Sequence, residues 1–204
     1  MCGIFFSVGL VVDRSRIDII EHRGPDGDGW KEWDTQLGKL ALGHKRLAII
    51  DTSEAAAQPF VYAGNRYHLV FNGEIYNYVE LKEQLAGRGH VFTTHSDTEV
   101  LVAAYAEWGS ACLDRLLGMF AFVIWDVQAQ TVFVARDRFG IKPLYYVNSP
   151  AGLAIGSEIK QLLDLPGGER RLNAARAIDF LSEGLLNHSS DTMFVGIQQV
   201  RRGE

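Results

Sequence analysis

The sequence predicts an α+β layered domain, and three observations carry that reading. Aliphatic and aromatic strand-like runs fill the first third, from GIFFSV to HLVFNG. The period then changes to helical in YNYVELKEQLAGRG and SDTEVLVAAYAEWG, and strand-like runs return in MFAFVIWDV and TVFVARD. Strands, then helices, then strands is the order of segregated layers, whereas a doubly wound sheet alternates strand and helix along its whole length.

Each element has a local reason. Gly3 to Val8 is a buried first strand, because Phe, Ile and Val favour pleated backbone and both faces look apolar. RSRIDIIEH predicts a short helix, and RGPDGDGW, dense in glycine and proline, predicts an irregular loop. LGKLALGHKRLAII reads as a strand pair closed by the turn-forming DTSE, and VYAGNRYHLVFNG as a hairpin folded at AGN. Tyr78, Leu81 and Leu85 then fall on one helical stripe that stops at glycine. The clearest helix follows Ser96, the N-cap residue, with Glu99 three positions on completing a capping-box pattern. ACLDRLLG predicts a short helix, and MFAFVIWDV with TVFVARD a buried hairpin around QAQ. LYYV and GLAIGS make a further strand pair, and SEIKQLLDL a closing helix. Beyond about Gly167 the pattern thins to one helix, NAARAIDFLSEG. Residues 2–165 are therefore expected to be the domain, and 166–204 a linker into something further.

Composition narrows the function classes. With 204 residues, 47% of them hydrophobic and 22% charged, the chain reads as one ordinary soluble domain with a substantial core. A net charge of -5 gives no global invitation to nucleic acid or to an anionic membrane surface. Two cysteines, Cys2 and Cys112, are too few for a disulfide framework, so a reducing cytoplasm is the expected home. GIFFSVGLVV lacks the basic flank of a signal peptide and is too short to span a bilayer. Neither the cysteines nor the six histidines have metal-ligand spacing, and no metal is expected; His22 alone stands near a candidate loop.

Four features are able to carry chemistry. Cys2 is a small buried hydrophobe or, once Met1 is removed, a thiol beside its own α-amine, which serves as the base in N-terminal nucleophile chemistry. Asn72-Gly73 is either a hairpin turn or an oxyanion hole of side-chain amide and backbone N–H; a helix-period segment, not a returning strand, follows it. Arg46 breaks an aliphatic strand, facing solvent or clamping a carboxylate. Asp97 complements a helix dipole or, with Glu74, accepts a ligand ammonium. Thiol, oxyanion donors, carboxylate clamp and ammonium acceptors are together what a free amino acid with a side-chain amide requires.

The motifs MCGI, HRGPDG, GHKRLAIID, QPF, FNGEIYN, SDTEV, GMFAFVIWD and RDRFGIKPLYY occur in order, and the chain resembles in them the class II glutamine amidotransferase domain of glutamine-hydrolysing asparagine synthetases. The resemblance covers at least Cys2 to about Leu163. It implies an N-terminal nucleophile hydrolase fold, a four-layer αββα sandwich of two antiparallel sheets. It puts the nucleophile on Cys2, the oxyanion donors on Asn72 and Gly73, the glutamine carboxylate clamp on Arg46 and the amine contacts on Glu74 and Asp97, with Arg23 and Asp26 in a supporting loop. It further implies glutamine as substrate, no cofactor for the glutaminase domain, ATP and Mg only in a C-terminal synthetase domain that this chain does not contain, and room for a homodimer. The segment between MCGIFFSVGL and HRGPD is shorter than the family's usual first helical region. A different ammonia acceptor, or a degenerate domain kept for binding, are the alternatives. Cys112 gains no role from the resemblance and is expected to be a core residue.

Overall fold

β1 (Gly3–Val8) runs through the middle of a six-stranded antiparallel sheet in the computed structural model, which describes every residue from Met1 to Glu204. On one side it pairs with β3 (Gly38–Arg46), itself flanked by β2 (Gly27–Thr35). On the other lie β9 (Gly152–Gly156), β8 (Tyr145–Ser149) and the two-residue β10 (Gln198–Gln199). The second sheet has the order β4 (Phe60–Tyr62), β5 (Tyr67–Ile75), β6 (Gly118–Asp126) and β7 (Thr131–Arg136), again antiparallel throughout.

Three apolar layers glue the two sheets and their covers together. Between the sheets, Ile4, Phe6, Leu40 and Leu42 meet Val70, Val123 and Trp125. Outside the second sheet, α2 (Tyr78–Ala86) and α3 (Asp97–Trp108) bury Leu81, Leu85, Val100 and Leu101 against Phe71 and Phe122. Outside the first, Phe5 packs with Ile17, from the single turn α1 (Ser15–Asp18), and with Leu162. The result is the expected αββα sandwich, with a thin fourth layer. Phe5 faces out while Ile4 and Phe6 face in, which explains why β1 is apolar on both faces.

The same two-residue period locates the polar site. Leu40 and Leu42 face the second sheet, so His44 and Arg46 further along β3 face it too. On β5 the inner face carries Val70, and Asn72 follows on it. Gly3 lies opposite Lys45, so β1 begins where β3 ends, and Cys2 stands beside Arg46 at one end of the sandwich.

Several expectations are corrected. RGPDGDGW is a loop only up to Asp26; Gly27 to Trp30 belong to β2, a nine-residue strand registered from Gly27 opposite Arg46 to Thr35 opposite Gly38. Glycine at position 29 answers a packing demand, since a Cβ there would meet the Gln58 carbonyl oxygen at 2.0 Å. LGKLALGHKRLAII is one strand, β3, whose partner is β2, and its last residues form a loop. SEIKQLLDL contains only a 3₁₀ turn at Ile159–Gln161, and of ACLDRLLG only the first four residues are helical, within the 3₁₀ segment Gly109–Asp114. Ser96 does cap α3, its hydroxyl accepting from the Thr98 N–H at 3.1 Å. Glu99, however, turns back to the Thr94 N–H at 2.7 Å and leaves the capping box incomplete.

Residues 166–204 run back along the same body. α4 (Ala174–Glu183) buries none of its residues, yet Ile197 and Val200 are buried and β10 extends the first sheet. No helix is long and apolar enough to cross a membrane.

Candidate active site

A cavity of about 230 Å³ opens at the end of the sandwich where β1 starts and β3 and β5 finish, and its lining includes Cys2, Arg46, Asn72, Gly73, Glu74 and Asp97. Six residues singled out along the sequence thus share one wall system. The volume lies below the roughly 300–1,000 Å³ of pockets that take drug-sized ligands, which suits a small metabolite.

Cys2 is half-buried, and its sulfur sits between the backbone groups of Leu47: the thiol accepts from the Leu47 N–H at 3.3 Å and donates to the Leu47 carbonyl at 3.5 Å. Burial pushes the thiol pKa up. The Leu47 N–H, the chain's N-terminal ammonium, the Lys142 ammonium and the Arg46 guanidinium pull it down without overcoming burial. The resting sulfur is therefore a protonated thiol, and attack through it needs a base. Met1 lines the cavity as well, so in this species the Cys2 nitrogen is an amide and not an amine.

Asn72 is 1% exposed, and its side-chain Nδ2 has no hydrogen-bond partner. Leaving a buried donor unpaired costs about 1–3 kcal/mol, and such an orphan in a cavity wall is a donor awaiting a ligand acceptor. Gly73 beside it is obligatory: a Cβ would stand 2.3 Å from the Met119 carbonyl oxygen and 2.8 Å from Phe120 Cα, both backbone atoms of β6. The Asn-Gly pair lies within β5, opposite Ala121 and Phe120, and is not a hairpin turn.

Arg46 is buried, and one guanidinium nitrogen donates to the Asp51 carbonyl. The Asp51 carboxylate accepts from the Ser53 hydroxyl and N–H and from the His95 N–H, and these bonds hold its pKa at about 2. The loop carrying Asp51 is thereby tied to the segment that leads into α3. Asp97 accepts from the Ile75 N–H at 3.0 Å, which docks the start of α3 on the end of β5. Burial raises the Asp97 pKa to about 6, the Ile75 bond opposes the rise, and the Glu74 carboxylate adds to it. Two carboxyl groups crowded at one end of a cavity, with a guanidinium also on its wall, make a site for a zwitterion.

Arg23 and Asp26 stand behind the cavity. The buried Arg23 donates from Nε to the Cys2 carbonyl at 2.9 Å and from a terminal nitrogen to Glu158 at 2.9 Å. Asp26 accepts from the Ala48 N–H at 2.9 Å and so steadies the loop whose Leu47 brackets the thiol. Gly24 lets this loop lie against β3, since a Cβ would be 2.4 Å from the Arg46 nitrogen. His22 pairs with Glu158 at 2.9 Å and is absent from the lining. Cys112 is buried in the apolar core, its thiol pushed up to about 12 by burial.

Lys142 is a wall residue that sequence reasoning missed. It is buried, and desolvation lowers its ammonium pKa; its backbone N–H donates to the Asp137 carboxylate at 3.0 Å. The signal was present in RDRFGIKPLYY, where a lysine interrupts apolar residues, but nothing local distinguishes it from a surface lysine. No group of three or more His, Cys, Asp or Glu side chains converges closely enough to hold a metal ion.

Comparison with known proteins identifies the family and the fold. A family model described as the glutamine amidotransferase domain matches residues 1–204. Asparagine synthetase [glutamine-hydrolyzing] 3 of Bacillus subtilis is 37% identical over 98% of this chain and 34% of its own length. Asparagine synthetase [glutamine-hydrolyzing] 1 of the same organism is 46% identical over 71% of this chain and 22% of its own. The chain thus spans about a third or less of these relatives. Among solved structures, a glutamine phosphoribosylpyrophosphate (PRPP) amidotransferase from B. subtilis, complexed with ADP and GMP, superposes with a TM-score of 0.66. It is 28% identical, and the match covers 79% of this chain and 43% of that one.

Proposed function

The chain belongs to the glutamine amidotransferase domain family, and from that premise we propose that it hydrolyses glutamine to glutamate and ammonia through a thioester on Cys2. The observation that carries this reading is the unpartnered, buried Asn72 amide in the wall of the cavity that holds the Cys2 thiol. Nothing in the resting fold uses that donor, and a developing oxyanion would.

With Met1 removed, the α-amine of Cys2 takes the thiol proton as sulfur adds to the glutamine carboxamide carbon. The C=O electron pair moves to oxygen, where the Asn72 amide and the Gly73 N–H stabilise it. Collapse re-forms C=O and breaks the C–N bond; the proton held by the amine leaves with nitrogen as ammonia. Water then adds to the thioester, sulfur departs and is reprotonated, and glutamate is free. Arg46 pairs with the substrate carboxylate, and Asp97 with Glu74 accepts from its ammonium. The chemistry uses a thiol, an amine and hydrogen-bond donors, so we assign ATP and Mg to a downstream synthetase part such as the relatives' extra length would hold. The relatives' names favour aspartate as the final acceptor of the ammonia. The PRPP amidotransferase is the alternative acceptor type, supported by the lower of the two sets of identities. A cytoplasmic location follows from the same biosynthetic reading.

Glutamate release from Met1-free protein, followed with time, tests the proposal. In that assay Arg46→Ala raises the glutamine KM about 10–100-fold, the worth of a charged hydrogen-bonded pair, with a smaller effect on kcat. An unchanged KM with full activity removes Arg46 from the site.

Asp97 adds a pH signature. Its carboxylate is the form that pairs with an ammonium, and with a pKa near 6 it is lost as pH falls through that value. Glutamine binding to a Cys2→Ala protein, measured by calorimetry, is then flat above about pH 7 and weakens toward tenfold per unit below about pH 6. Binding that stays constant down to about pH 5 contradicts the assignment.

A further inference from the structure

Phe71, the residue before the oxyanion pair, has both of its backbone polar groups held by side chains. Its N–H donates to Gln58 Oε1 at 2.6 Å, and its carbonyl accepts from His44 Nε2 at 3.2 Å. His44 and Gln58 are buried, and they reach Phe71 from two different elements: His44 from β3 in the other sheet, Gln58 from the segment that enters β4.

Strand pairing explains why side chains are needed there. β4 pairs with β5 only from Tyr62 opposite Tyr67 to Phe60 opposite Leu69. The pairing stops at Phe60, so past Leu69 this side of β5 has no strand partner. Continuing the register would set Gln58 opposite Phe71. The Gln58 backbone carbonyl instead lies against Gly29 of β2, and the side-chain amide of Gln58 takes its place on Phe71. The His44 ring is fully buried and, with its pKa near 3, neutral; a carbonyl only accepts, so the single ring proton sits on Nε2 and Nδ1 is left without a partner. The Gln58 amide nitrogen also donates, at 3.5 Å, to the Thr98 hydroxyl, next to Asp97 in the first turn of α3.

We propose that His44 and Gln58 are positioning residues for the oxyanion hole: by holding the N–H and the carbonyl of Phe71 they set where Asn72 and Gly73 stand relative to the Cys2 thiol, and Gln58 couples that position to the helix that binds the substrate ammonium. This rests on the glutaminase reading above. Oxyanion donors act only when about 2.7–3.1 Å from the developing charge, and a displacement near 1 Å can cost about 10²-fold. Both residues also line the cavity, but their side-chain hydrogen bonds go to the Phe71 backbone and the Thr98 hydroxyl, so the effect is expected in kcat more than in KM.

The test compares Gln58→Met, Gln58→Glu and His44→Phe in Met1-free protein, reading kcat, glutamine KM and the rate at which iodoacetamide alkylates Cys2. Gln58→Met removes the acceptor at similar volume and is expected to lower kcat about 10–100-fold, with KM within about twofold and the alkylation rate unchanged. Gln58→Glu keeps an acceptor for the Phe71 N–H and restores most of kcat. His44→Phe behaves like Gln58→Met, and thermal unfolding of both confirms that they are folded. If Gln58→Met keeps kcat within about threefold, or if its loss lies in KM, or if Gln58→Glu gives no rescue, the positioning role is wrong. Wild-type protein that releases no glutamate, or releases it without Cys2, overturns the glutaminase reading instead, so the two failures are distinct.

Discussion

Cys2→Ala abolishes glutamine hydrolysis, a loss of at least about 10⁴-fold in kcat, while glutamine still binds. The magnitude follows from the role: the thiol forms the bond that the remaining steps break, and no other cysteine is available, since Cys112 lies in the core between helices and sheet. Retaining Met1 is expected to act nearly as strongly. Burial keeps the Cys2 thiol protonated, and an amide nitrogen at position 2 cannot take its proton. Glutamate release by the Cys2→Ala protein at a rate near wild type removes the nucleophile from the mechanism.

Asn72→Ala is expected to lower kcat about 10²–10³-fold with little change in glutamine KM, the cost of one missing oxyanion donor, about 3–4 kcal/mol. Stability moves differently. Asn72 Nδ2 satisfies nothing in the resting fold, so its removal relieves an unpaired buried donor and offsets the small void left behind. Thermal unfolding within a few degrees of wild type, together with the drop in kcat, separates a catalytic loss from a folding one. Full kcat in a folded Asn72→Ala protein contradicts the oxyanion assignment.

Much of this site is visible in the sequence because its residues sit at the ends of strongly patterned elements. The aliphatic run before Arg46 and the capped start of α3 at Asp97 are local signals. The motif order then ties Cys2, Asn72 and Gly73 to them. Which way Arg46 points is a matter of strand phase: Leu40 and Leu42 face inward, so Arg46 does too, whereas the pattern by itself left a solvent-facing arginine open. β2 was illegible because GDGW reads as a turn. Gly29 is there for the close approach of Gln58, a contact between residues distant in the chain. The closing helix is absent for the opposite reason, since Leu162 and Leu165 suit a helical stripe but bury from the turns that follow the short 3₁₀ segment Ile159–Gln161. Lys142, His44 and Gln58 act through contacts that exist only once the two sheets are stacked.

Glutamine chemistry at an N-terminal thiol is tested most directly by labelling with an electrophilic glutamine analogue, such as its diazoketone, followed by intact-mass and peptide mass spectrometry. Met1-free protein is expected to take up one equivalent, on Cys2, with free glutamine protecting it. Protein that retains Met1 and the Arg46→Ala variant should label far more slowly at the same concentration. Labelling elsewhere in the chain, or labelling of Cys2 at an equal rate with Met1 attached and unaffected by glutamine, would contradict it.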